Sequence, residues 1–153
     1  EKVKVTKLKL KKNVIKELED SLLLHYTGKP RYSTDINKAM IDNFIRGKNI
    51  NNLIRIRDIA KEMKTALQKN DLVKFSSLIN EEFKERKKLS NNVSNNKINK
   101  LINLGFKHGA IAAKLCGAGG GGSILFFCDN KKRLMKKFKS IEFRFDFKGL
   151  QWY

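Results

Sequence analysis

Cysteine is nearly absent from this chain. Cys116 and Cys128 are the only two, and they supply neither a metal-ligand spacing nor a disulfide framework. On the two arms of one hairpin they sit at different heights and are not opposed, so reduced thiols in a cytoplasmic protein are the simple account. Histidine is equally scarce. His25 and His108 have no partner at ligand spacing, so both read as structural or exposed rather than catalytic. Long apolar runs are missing too: nothing approaches the ~20 residues that cross a bilayer, and no signal peptide opens the chain. No metal site and no membrane partner are expected. Acidic side chains are few, 15 against 34 Lys and Arg, which leaves a formal charge of +19.

That charge has two readings. A basic surface can serve nucleic acid or another polyanion. It can also be solvated lysine, and the distribution favours this: seven of the basic residues are Arg, the rest Lys, spread over nearly every polar helix face. No nucleic-acid partner is therefore expected, and a basic nucleic-acid-binding module stands as the alternative. At 153 residues, with 41% hydrophobic and 32% charged, the chain fits one domain able to hide roughly two-thirds of its unfolded surface. It begins at Glu1 without methionine, directly in a strand-like stretch, and reads as a domain from a longer enzyme.

Val3 to Leu10 alternates apolar and basic residues, the pattern of a half-exposed strand. Residues 12–20 suit a short helix, and residues 21–27 form an apolar run of strand length closed by Gly28 and Pro30. A helical middle follows. Ser33 or Thr34 can cap a helix to Arg46, with Ile36, Met40, Ile41 and Phe44 inward. Leu53, Ile56, Ala60, Met63 and Leu67 mark a second, and Asp71 caps a third carrying Leu72, Phe75, Leu78, Ile79 and Phe83. Ile98, Leu101, Ile102 and Phe106 mark a fourth, ending near His108. Residues 110–116 and 123–128 read as strands, the second so apolar that it belongs in the middle of a sheet. Residues 130–139 suit a basic amphipathic helix with Leu134, Met135 and Phe138 inward. Residues 142–147 alternate as a half-buried strand, with Phe143, Phe145 and Phe147 on the core face. The order predicts an α+β fold: a ferredoxin-like split β-α-β antiparallel sheet with extra helices inserted after the first core strand, covering one side of the sheet.

The chemistry-bearing segment is Gly117-Ala118-Gly119-Gly120-Gly121-Gly122, with Lys114 at its root. Five glycines in six positions let the backbone take positive φ and approach another group closely. Successive N–H groups in such a turn can form a concavity for phosphate. The segment is not a P-loop, which needs Lys-Ser/Thr and a helix behind the glycines, nor a dinucleotide turn, because a strand follows. Lys114 either adds positive charge to the loop or points to solvent. Arg31, in the turn after the first apolar strand, either makes a bidentate phosphate contact with substrate or is an exposed loop residue.

Residues 114–123 resemble the third signature motif of the GHMP kinases, and the resemblance runs along essentially the whole chain. Leu22-Leu23-Leu24-His25-Tyr26-Thr27-Gly28 with Arg31, Lys87-Lys88-Leu89-Ser90, Ser94-Asn95 with Ile98, Gly109-Ala110, and residues 142–151 are similar, in order, to the heptose 7-phosphate kinase branch of that family. The resemblance implies that residues 1–153 are the C-terminal domain of an ATP-dependent sugar or sugar-phosphate kinase. It implies ATP and Mg2+ as cofactors and an N-terminal domain as partner. The family's ATP-holding Pro/Gly/Ser-rich loop, its catalytic acid and its magnesium ligands have no counterpart here, so no catalytic residue is assigned and the chain alone is expected to be inactive.

Overall fold

The computed structural model describes residues 5–28, 30 and 33–149. Helix α1 (Lys12–Ser21) runs directly into β1 (Leu22–Tyr26), and three helices follow: α2 (Ser33–Ile45), α3 (Ile50–Gln68) and α4 (Leu72–Lys87). A short 3-10 turn (Asn91–Val93) leads to α5 (Asn96–Lys107) and β2 (Ala110–Leu115). The chain then makes β3 (Ser123–Cys128), α6 (Lys131–Met135) and β4 (Ser140–Ile141). The starts of α4, α5 and α6 follow local chemistry, because an unpaired N–H at the first turn takes a side-chain oxygen. Asp71 accepts from Lys74 N–H at 2.9 Å, Asn95 from Ile98 N–H at 3.0 Å and Asn130 from Arg133 N–H at 3.2 Å.

The sheet is antiparallel in the order β2-β3-β1-β4. This is the ferredoxin-like arrangement, with α2 to α4 as the insertion after β1. Strand β3 is interior, as its apolar sequence requires, and pairs Phe127 with Leu22 and Phe126 with Leu23. Because neighbours along β3 face opposite ways, Ile124, Phe126 and Cys128 bury one face with Leu23, Ile98 and Ile102 of α5, and Leu134 and Phe138 around α6. Phe127 and Leu125 bury the other with Val14 and Leu18 of α1, Met63 and Leu67 of α3, and Phe75 and Ile79 of α4. Helices thus cover both faces, not one. The expectation failed because it assigned every helix to a single layer, whereas the insertion and α1 supply a second.

Three further expectations are corrected. The described part of the first predicted strand, residues 5–10, is irregular and lies outside the sheet. Residues 142–147 are also irregular: β4 pairs with β1 only at His25–Ser140 and Leu24–Ile141. Glu19 Oε1 then takes the Phe145 N–H at 2.8 Å, which draws the chain away from the sheet. Phe143 still packs on the core, while Phe145 and Phe147 are 39% and 62% exposed. Finally, α2 meets the core through Ile36 and Met40 but turns Ile41 and Phe44 outward; Ala60, Phe106 and Met135 are exposed as well.

At the β2 edge, α4 lies alongside the strand. The Asn80 side chain donates to the Ile111 carbonyl at 2.9 Å and accepts the Ala113 N–H at 3.0 Å.

Candidate functional site

The glycine loop joins β2 to β3 and is closed at its base by Cys116 N–H donating to Ser123 O at 2.9 Å. Gly117, Gly119, Gly120 and Gly122 have φ of 73°, 108°, 74° and 80°, a left-handed backbone that disfavours any Cβ. Space is equally restrictive. A Cβ at Gly119 would overlap the Val93 carbonyl and lie 2.8 Å from its Cα; one at Gly120 would lie 2.5 Å from Ile36 Cδ1. The close approach seen here is to this chain's own Asn91–Val93 turn. Gly120 N–H donates to Val93 O at 2.9 Å.

Four elements make the seat. Thr27, buried at the end of β1, donates to Gly122 O from both its N–H and its hydroxyl, each at 2.8 Å. Asn95, the α5 cap, donates Nδ2 to Gly120 O at 3.3 Å. The 3-10 turn supplies Val93, and the first turn of α2 supplies Ile36. Lys97, also in the first turn of α5, donates Nζ to Thr27 O at 3.3 Å, which brings a cation beside the strand end that holds the loop. Among the described residues, the N–H groups of Ala118, Gly119 and Gly121 find no backbone acceptor. Successive backbone donors next to positive-φ glycines are a geometry that can form an anion-binding concavity.

Sequence reasoning named Gly117, Ala118, Gly119, Gly120, Gly121 and Gly122 as candidates and gave no part in the loop to Thr27, Asn95 and Ile36, which seat it. Lys114 is placed elsewhere: its Nζ lies 2.6 Å from Oε2 of buried Glu82, a charge pair rather than an aligned hydrogen bond. Glu82 Oε1 pairs with Arg86, so Lys114 neutralises α4 rather than charging the loop. Arg31 lies outside the described residues. His25 Nδ1 donates to Lys139 O at 2.9 Å, with its ring edge-on to Phe138, a structural role. The two cysteines form no disulfide, and burial pushes the Cys128 thiol above its ordinary pKa, so that thiol is not an activated nucleophile. Among the described residues no cluster of His, Cys, Asp or Glu could hold a metal ion, and no helix is long and apolar enough to cross a membrane.

Residues 63–140 match the family model described as GHMP kinases C terminal. A D-glycero-alpha-D-manno-heptose 7-phosphate kinase of Campylobacter jejuni is 29% identical over 132 residues, 86% of this chain and 39% of that protein. Among solved structures, a D-glycero-D-manno-heptose 1-phosphate kinase from Bacteroides thetaiotaomicron superposes with a TM-score of 0.61 at 22% identity, over 90% of this chain and 37% of that one. The L. major mevalonate kinase superposes with a TM-score of 0.63 at 21% identity, over 75% and 36%. The chain spans about two fifths of the length of the curated relative it matches.

Proposed function

Since the chain belongs to the GHMP kinases, as their C-terminal domain, we propose that it forms one wall of the active site of an ATP-dependent sugar or sugar-phosphate kinase, of the heptose 7-phosphate class. The observation that carries this is the seated glycine loop: N–H groups with no backbone acceptor among the described residues, beside four positive-φ glycines, on a chain 29% identical to a heptose 7-phosphate kinase. Phosphoryl transfer rests on positioning and on stabilising charge at the transferred phosphate. Rigidly held backbone donors supply that stabilisation without reorganising. ATP and Mg2+ belong to this reading through an N-terminal domain in a longer, cytoplasmic protein. Mg2+ finds no ligand set among the described residues of this chain. Arg31 remains the proposed contact to a phosphate on the sugar.

The test uses the longer protein and the 153-residue chain in parallel. The longer protein should transfer phosphate from ATP to a heptose phosphate or related sugar, and the shorter chain should transfer none. Activity in the 153-residue chain, or none in the longer protein on any sugar, would sink the reading. Gly120→Ala probes the loop itself, because Ile36 Cδ1 is a movable side-chain tip, whereas Gly119→Ala would strike Val93 backbone. Its positive φ costs about 1 kcal/mol, which a domain of this size tolerates. A cooperative melt with sharply reduced kcat/KM is expected. Near-normal turnover would reduce the loop to a turn.

A further inference from the structure

We propose that Thr27 and Asn95 are positioning residues that clamp the glycine loop by its carbonyls and so set where its N–H groups meet a phosphate. This rests on the kinase reading for its functional consequence, but the clamp itself is visible in the bonding. A carbonyl has two lone pairs, and Thr27 fills both at Gly122 O, from its N–H and from its hydroxyl, at 2.8 Å each. Asn95 uses both ends of its amide: Oδ1 accepts the Ile98 N–H at 3.0 Å and Nδ2 donates to Gly120 O at 3.3 Å. One side chain therefore ties the loop to the end of β1 and the other ties it to the start of α5.

The geometry gives the clamp a direction. In a trans peptide the C=O and the following N–H point opposite ways. Drawing Gly120 O toward Asn95 turns the Gly121 N–H to the other side of the loop. Neither bond is needed to form β1 or α5, whose own backbone pairing and cap acceptor are separate groups.

Two substitutions separate positioning from folding. Thr27→Val removes only the hydroxyl bond and Thr27→Ser restores it. Asn95→Asp keeps the cap acceptor but loses the donor to Gly120 O. In the 153-residue chain, amide hydrogen exchange at Gly120, whose N–H is bonded to Val93 O, should speed up about fivefold in Thr27→Val and Asn95→Asp, the loss of one hydrogen bond, and stay at the wild-type rate in Thr27→Ser. In the longer kinase the first two should lower kcat about tenfold or more, as for a sub-ångström to 1 Å misplacement, while KM for the sugar moves less than about threefold. Wild-type exchange in both Thr27→Val and Asn95→Asp overturns the clamp, as does a Thr27→Ser variant as impaired as Thr27→Val. Should Thr27→Val fail to fold, Asn95→Asp decides on both readouts. An inactive longer wild-type protein removes the kinase reading, and exchange alone then decides the clamp.

Discussion

A methyl group at Gly105 would overlap the ring of Phe126 at Cε1: Phe126 Cδ1 and Cζ stand 2.9 Å from where a Cβ would be. Two effects oppose each other at this position. Alanine is about 1 kcal/mol better than glycine within a helix, yet overpacking a closed core costs about 1–3 kcal/mol. Phe126 is fully buried and also packs on Phe138, with ring centroids 4.9 Å apart, so the ring has nowhere to retreat and overpacking should win. Gly105→Ala is expected to lower the melting temperature of the chain. A higher one would mean that α5 slides off β3 at little cost. The same crowding explains why the glycine matters here without positive φ: the requirement is contact, not conformation. Lys114 carries the complementary lesson. Its charge is legible in the sequence, but its target, Glu82 on α4, depends on how α4 packs against β2.

Helices α3 and α4 are joined by polar side chains as well as by Met63, Leu67, Leu72 and Ile79. Arg55 of α3 contacts Glu81 of α4 at 2.6 Å and Glu62 of its own helix, and Asn52 donates to Glu85 at 2.7 Å. The hydrogen bond from Arg55 holds the Glu62 carboxyl below its ordinary 4.5. Lys88 first, then Asn52, does the same for Glu85. Folded values below unfolded ones mean that these bonds contribute fully above about pH 5 and fade as pH falls through the folded values. The melting temperature should be flat on the neutral side and fall in acid, with a shallower acid limb in Glu85→Gln. An unchanged limb in that variant would show that the α3–α4 join does not depend on Glu85. At this scale the sequence was most legible where the cause is local. Asp71 marks a helix start because its side-chain oxygen accepts the N–H three residues on. It was least legible where the partner is distant. Thr27 reaches Gly122 across 95 positions and Glu19 reaches Phe145 across 126, so neither the seat of the glycine loop nor the early end of β4 can be read from neighbouring residues. The outward turn of Ile41 and Phe44 likewise follows from where α2 meets the core, which its helical period does not encode.

The 153-residue chain as a whole carries a formal charge of +19, and this bears on its association with copies of itself. Like charges on two copies repel over about a Debye length, roughly 8 Å at physiological salt and 3 Å at 1 M. Repulsion of that kind is general and can be screened, whereas the sheet has a specific liability. Strand β2 lies at its edge, and an open edge invites another strand to add. The Asn80 amide, bonded to Ile111 O and Ala113 N–H, imitates a peptide unit and occupies the place where a foreign backbone would dock. Protection against edge-to-edge growth is thus divided between a long-range charge that salt can abolish and a single short-range side chain that it cannot. Asn80→Ala should remain monomeric at low salt and associate at about 1 M salt, read by elution volume, while the unsubstituted chain stays monomeric in both. Association of the unsubstituted chain at high salt would assign the protection to charge alone. With Asn80 in place, the β2 edge of the sheet is terminated by a side chain standing in for backbone.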